Sequence, residues 1–320
     1  MAVKDQSLPQ LQTQQEIKGK RRTWFSSKMR RQEAFAGYLS ILPWLLGFIF
    51  FAAGPVLASF VMMFMRWEVL SPPEFAGLEN FRRLFSDPLV LKSLVNTGIY
   101  TIFAVPLQLG MALFAALLLN VEVRGTNFYR TLLYLPSQMP LVASSILWFF
   151  IFSPTYGLAN QIIAMVDIPP QRWLFDSALV KPSLILMASW SFGNAMIIFL
   201  AGLKGVPEAL YEAAKIDGAN RWALFRHITI PMISPTILFN LIIGIIGSFQ
   251  VFTNIFIMTD GGPGNASLML NLYIYRNGFQ NFRMGYASVL AWILFTIVMI
   301  LTIIQFKLSG RWVYYEGEAA

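Results

Sequence analysis

Residues 204–231 read KGVPEALYEAAKIDGANRWALFRHITIP, a polar stretch set inside an otherwise strongly apolar chain. Its local grammar is that of two short helices joined by a turn. Pro207 suits a first helical position, and Glu208 and Glu212 sit in the first half, where carboxylates complement the positive end of a helix dipole. That helix is expected to end near Ile216, because a glycine just past a helix end, here in Asp217-Gly218, takes the left-handed backbone that other residues adopt at a cost of about 1–2 kcal/mol. Asn220 then reads as the cap of a second helix carrying Trp222, Leu224, Phe225 and Ile228 among Arg221, Arg226 and His227, with Pro231 as its terminator. Ala209, Leu210, Ala213, Ala214 and Ile216 give the first helix a small, apolar face suited to docking in a groove.

Outward from this stretch the chain is built for a bilayer. Of its 320 residues 56% are apolar, 15% aromatic and only 12% charged. A soluble domain carries about a quarter charged residues, so the composition predicts an all-α integral membrane protein. No cysteine is present, which excludes a disulfide framework, a thiolate metal site and a cysteine nucleophile; the lone histidine, His227, leaves little scope for a metal centre. Residues 1–34 form a polar, then basic tail, with Lys18, Lys20, Arg21, Arg22, Lys28, Arg30 and Arg31 suited to anionic headgroups. Residues 35–320 form the membrane domain. Apolar segments long enough to cross roughly 30 Å of hydrocarbon recur at about 35–65, 94–119, 129–152, 182–203, 233–258 and 286–306, which makes six predicted spans. Pro43, Pro55, Pro106, Pro136 and Pro140 fall inside them and are expected to kink the helices rather than end them.

Lysine and arginine fix the expected orientation. With the N-terminus inside, 16 of the 24 lie on the inner side and 8 on the outer side. The positive-inside rule therefore puts both termini and the 204–231 loop in the cytoplasm. The outer segments 66–92, 153–181 and 259–285 hold turn-forming runs such as SPPEFAGLENFRRLF and TDGGPGNAS.

Energy-coupling chemistry is missing from the chain itself. No G-x-x-x-x-G-K-[ST] loop occurs, and no charged residue needs to lie deep inside a span, where a proton relay would require one. If the protein moves a solute uphill, another subunit supplies the energy. Polar span residues include Asn96, Thr97, Gln108, Ser144, Ser145, Ser191, Asn240 and Ser248, whose default role is hydrogen bonding between helices. A path for a sugar needs amides for hydroxyl groups and aromatics for apolar ring faces. Gln250, Thr253 and Asn254, spaced at helical intervals beside Phe249 and Phe252, fit best, followed by the i, i+4 pair Trp190 and Asn194.

The pattern Glu212-Ala213-Ala214, then Gly218, then Ile230-Pro231, resembles the EAA signature of ABC-importer permeases. Asn96-Thr97, FYRTLLYLPSQMP (128–140), GGPGNAS (261–267), NFRMGYASVLAWILF (281–295) and RWVYYEG (311–317) extend the resemblance to carbohydrate-uptake permeases of the maltose or glycerol-3-phosphate first-permease type. This resemblance implies a type I importer with a MetI-like permease fold and a cytoplasmic coupling helix-turn-helix. Glu212, Ala213, Ala214 and Gly218, with Asp217 beside the turn, would seat on an ATPase. It further implies a second, non-identical permease, two ATP-binding cassette subunits that hold ATP and magnesium, and an extracytoplasmic solute-binding protein. The setting would be the inner membrane of a bacterium or archaeon, with membrane lipid around the chain, no nucleic acid partner, no catalytic or metal site and no cofactor of its own. A self-contained carrier or channel for a small polar solute is the alternative; it leaves the 204–231 loop unexplained.

Overall fold

The computed structural model describes residues 28–69, 71–121 and 125–314, and most of the basic tail lies outside them, as do Tyr315, Glu316 and Gly317. The chain divides into two units, one ending at Ala58 and one beginning at Ser59. The first holds α1 (Lys28–Phe48), a π-helical segment (Ile49–Ala53) and the start of α2 (Gly54–Met62). Residues Arg31–Met62 form one apolar helix of 32 residues. At about 1.5 Å per residue it is longer than the roughly 30 Å of hydrocarbon it must cross. Phe50 and Phe51 are among its exposed side chains, an exterior that water would not tolerate at this density.

The second unit opens with a minimal antiparallel hairpin of β1 (Met65–Arg66) and β2 (Glu74–Phe75), then α3 (Glu79–Ser86) and the long α4 (Pro88–Leu119). There follow α5 (Thr126–Gln138), α6 (Leu141–Ile151), α7 (Leu158–Ala164), α8 (Val180–Trp190) and α9 (Gly193–Lys204). The polar stretch gives α10 (Glu208–Ile216), α11 (Arg221–Leu224) and α12 (Ile230–Met232). The chain closes with α13 (Ser234–Phe249), α14 (Thr253–Met258), α15 (Leu270–Tyr275) and α16 (Met284–Ser309).

Two of this unit's spans, α4 and α16, are unbroken. Three others are broken, which corrects the expectation of continuous helices. α5 and α6 meet at 94°, α8 and α9 at 48°, and the helix ending at Met232 meets α13 at 64°. Pro140 was expected only to kink its span; the chain breaks there instead. A residue before proline is pushed out of the helical region, and Met139 is extended at ψ 135°. The span expected over 233–258 likewise splits between Phe249 and Thr253.

Pro231 is not itself the helix end. It lies inside α12, which ends one residue further on, at Met232. A π-helical segment, Phe225–Thr229, precedes it. Proline lacks an N–H and crowds the carbonyl four residues back, and a wider π turn at that point absorbs both faults. The same order, π turn then Pro55, recurs in the first helix.

The core is organised on α4, which packs against α8, α9, α13 and α15. Ala112, Ala115 and Ala116 are buried against Met196 and Phe199 of α9, small residues that let two backbones come close. Gly193 brings α9 against α5, where an added Cβ would lie 2.9 Å from Tyr134 Cα. At the end of the unit away from α10, Asp87 caps α4 by accepting from Leu89 N at 3.0 Å and accepts from Tyr286 Oη at 2.7 Å and Tyr273 Oη at 2.5 Å. Burial, then the bond to Asp87, pushes the Tyr273 phenol up to about 12, so it stays a donor at neutral pH. The loop GGPGNAS folds back on the same end of α4. Asn96 Nδ2 donates to Asn265 O and Leu268 O, both at 3.0 Å, and Lys92 Nζ donates to Gly264 O at 2.8 Å. Asn96 thus holds this loop to α4, and Thr97 Oγ1 accepts from Leu270 N of α15 at 3.0 Å.

Candidate functional site

Two features stand out, one at each level of the second unit: an exposed turn and a polar cavity. The turn is the junction of α10 and α11. Gly218 adopts φ +83°, and nothing lies within 4 Å of where its Cβ would be. Ala219 N donates to Ala214 O at 2.9 Å and Gly218 N to Lys215 O at 3.1 Å, the paired bonds of a Schellman helix end. Asn220 Oδ1 accepts from Ala223 N at 2.8 Å and starts the next helix. Pro207 sits one place before the expected one, as the cap of α10 rather than its first residue.

Glu212, Ala213, Asp217 and Gly218 are exposed and Ala214 is half-buried. Ile216 is 86% exposed and Trp222 65%, so the turn carries large apolar side chains into solvent. On its inner side Tyr211 Oη meets Thr229 Oγ1 at 3.0 Å and ties α10 to the helix that leads into α13. The result is a stiff, partly apolar knuckle with one face free, a shape suited to docking in a groove.

The cavity has a volume of about 330 Å³. The helix breaks explain where it lies. Leu141 and Ser144 come from the start of α6, Ser191 and Asn194 from the α8–α9 break, and Val251 and Asn254 from the break between α13 and α14. Inside a membrane, non-helical backbone survives only where it is buried in protein or lines a cavity, so three breaks converging on one hollow is the expected economy of polar groups. Tyr100 and Gln108 of α4 and Asn240 and Ser248 of α13 complete the polar wall, and among the described residues none lining the cavity carries a charge. Several of the polar groups are oriented by hydrogen bonds. Ser145 Oγ donates to Asn254 Oδ1 at 3.1 Å, Gln108 Nε2 to Ser191 O at 3.0 Å, and Ser248 Oγ to Thr101 Oγ1 at 2.9 Å.

Of the residues expected to line a path, Asn194 and Asn254 reach this cavity. Gln250, Thr253 and Trp190 are not among its lining residues. Gln250 is the exposed last cap of α13 and Thr253 the first residue of α14, so the shared face expected for 250, 253 and 254 is lost at the break. Trp190 ends α8 and packs edge-on against Trp148, with ring centroids 5.7 Å apart. The break after Trp190 also separates it from Asn194. Tyr100 is the wall residue that the polar pattern passed over, since an aromatic in an apolar helix reads as core.

A model of the family described as the binding-protein-dependent transport system inner membrane component matches residues 108–313. The chain belongs to this family. Its curated relatives include the probable ABC transporter permease protein YesP of Bacillus subtilis strain 168, 40% identical over 297 residues and covering 91% of this chain and 96% of that one. The lactose transport system permease protein LacF of Rhizobium radiobacter is 35% identical over 286 residues, 88% of this chain and 96% of LacF. Among solved structures, a chain of a bacterial alginate ABC transporter, crystallised with its alginate pentasaccharide-bound periplasmic protein, superposes with a TM-score of 0.75 at 24% identity, covering 88% of this chain and 96% of that one. The fold is therefore the MetI-like permease fold, all-α with six spans, three of them bent, and the chain is a multi-pass membrane permease of a binding-protein-dependent ABC importer. A self-contained carrier gives way to this assignment.

Proposed function

We propose that this chain forms one half of the translocation path for a saccharide, paired with a second, non-identical permease. Two ATP-binding cassette subunits drive the pair from the cytoplasm, and an extracytoplasmic binding protein delivers the solute. The observation that carries the sugar reading is the cavity wall. Its amides and hydroxyls, Gln108, Asn194, Asn240, Asn254, Ser144 and Ser191, are without charge and offer both donors and acceptors, the complement of sugar hydroxyls. The names of relatives agree with it: LacF is a lactose permease, and AraP of Bacillus subtilis belongs to an arabinooligosaccharide transport system.

Coupling falls to the knuckle. Glu212, Ala213, Ala214, Asp217 and Gly218 sit in an ATPase groove, and the Tyr211–Thr229 contact passes its motion to α13, whose far end borders the cavity. Moving the path from 1:99 to 99:1 between its two openings needs about 5.5 kcal/mol of differential interaction, which ATP-driven closure on a stiff element can deliver as rigid-body motion. The lysine and arginine balance supports both termini and this knuckle lying on the cytoplasmic side. The test is uptake of labelled saccharides by liposomes holding the complete transporter with its binding protein. Accumulation of a saccharide that stops without ATP is expected, and no uptake of any saccharide bound by that binding protein would overturn the reading.

A further inference from the structure

A second hollow, with a volume of about 910 Å³, opens at the α10 end of the unit between the end of α4, the start of α5 and the α9–α10 junction. Asn120, Thr126, Asn127, Arg130, Lys204, Glu208 and Tyr211 are its polar lining. Arg130 Nε is buried and has no hydrogen-bond partner. Neither Arg130 nor Lys204 meets a carboxylate among the described residues, where the ion pairs are Arg66–Glu79 and Arg276–Asp260. The first turn of α5 also borders the hollow, with no acidic residue and no side-chain cap, so the positive end of its dipole adds to the two cations. Among the described residues Glu208 is the one carboxylate in the lining; it is exposed and sits on the first turn of α10, where that helix's dipole favours it.

A guanidinium nitrogen taken out of water without an acceptor is completed by an anion, and the planar fork of arginine matches phosphate oxygens in pairs. The place fits too. Leu119 and Lys204 end two apolar membrane helices, so the hollow lies at the level where a bilayer carries its headgroups. We propose that this cleft binds a phosphate-bearing anion, with Arg130 and Lys204 as its cationic ligands. The phosphate comes either from an anionic phospholipid or from a free phosphorylated solute, since the chemistry on the protein side is the same. The site stands independently of the saccharide reading and of the coupling role of α10.

Two measurements on the purified, assembled transporter test it. Native mass spectrometry after incubation with phosphatidylglycerol or phosphatidylcholine counts retained lipid, and thermal unfolding is followed during titration with inorganic phosphate at constant ionic strength. Arg130→Gln removes the charge at similar size, and Arg130→Lys restores it. Retention of phosphatidylglycerol that falls about fivefold in Arg130→Gln, the factor equivalent to about 1 kcal/mol per basic residue at a membrane surface, and recovers in Arg130→Lys assigns the site to a lipid headgroup. A thermal shift with phosphate that vanishes in Arg130→Gln assigns it to a free solute. Wild type and Arg130→Gln alike in both measurements would overturn the proposal. Should Arg130→Gln fail to assemble, Lys204→Gln, at an exposed position, carries the same comparison.

Discussion

Gly218 shows how one residue can hold a function without touching a partner atom in the fold. Its φ of +83° is open to glycine without strain, and the space around its missing Cβ is empty. Substitution therefore acts on the backbone alone. Asparagine tolerates the left-handed region, alanine pays roughly 1–2 kcal/mol there, and β-branched valine pays more. The expected order of transport-coupled ATP hydrolysis in the assembled importer is wild type, Gly218→Asn, Gly218→Ala, Gly218→Val, with membrane insertion equal in all four. Equal coupling across the series would show that the turn carries no signal. Gly218, Asn220 and the end of α10 at Ile216 were all legible in the sequence, because caps and glycine stops are local rules that need no tertiary context.

At the scale of elements, the sequence was legible where a helix runs straight and opaque where it breaks. α4 and α16 are long apolar runs, and their spans were expected within a few residues of where they lie. The breaks at Met139-Pro140, Ser191-Phe192 and 250–252 leave no mark on hydropathy, since both arms of each are apolar. Two carry no proline at all, so no local rule marks them in the sequence. The breaks are also why Gln250, Thr253 and Trp190 do not line the cavity, while Asn194 and Asn254, which lie beyond a break, reach it. Proline was a poor guide in the other direction at Pro231, which follows a π turn and stays within its helix, whereas Pro55, also after a π turn, stays within its helix as expected. If the cavity is the proposed path, the wall residues act through position rather than charge, and their removal is expected to be felt in solute handling rather than in assembly. Asn254→Leu removes an amide whose Oδ1 accepts from Ser145, and a good buried hydrogen bond contributes about 1 kcal/mol net. Saccharide uptake at subsaturating substrate should fall roughly five- to tenfold, with basal ATP hydrolysis retained, since 1.4 kcal/mol is about a factor of ten. Unchanged uptake would remove Asn254 from the path.

The whole molecule makes sense only as part of something larger. It has no phosphate-cradling loop, its cavity is small and neutral, and the knuckle at Ile216 and Trp222 leaves apolar side chains in water. The family supplies the frame, a component of a binding-protein-dependent system, and the claim that rests on it is that this chain works beside a different permease above an ATPase. The most direct test is to tag the chain in its native membrane, extract it gently and identify by mass spectrometry what comes with it. Co-purification of a P-loop ATPase and a second, non-identical permease, with the ATPase recovered in lower yield from Glu212→Lys, is the predicted result. Recovery of the chain alone or only with copies of itself, under conditions that keep other ABC complexes together, would contradict it.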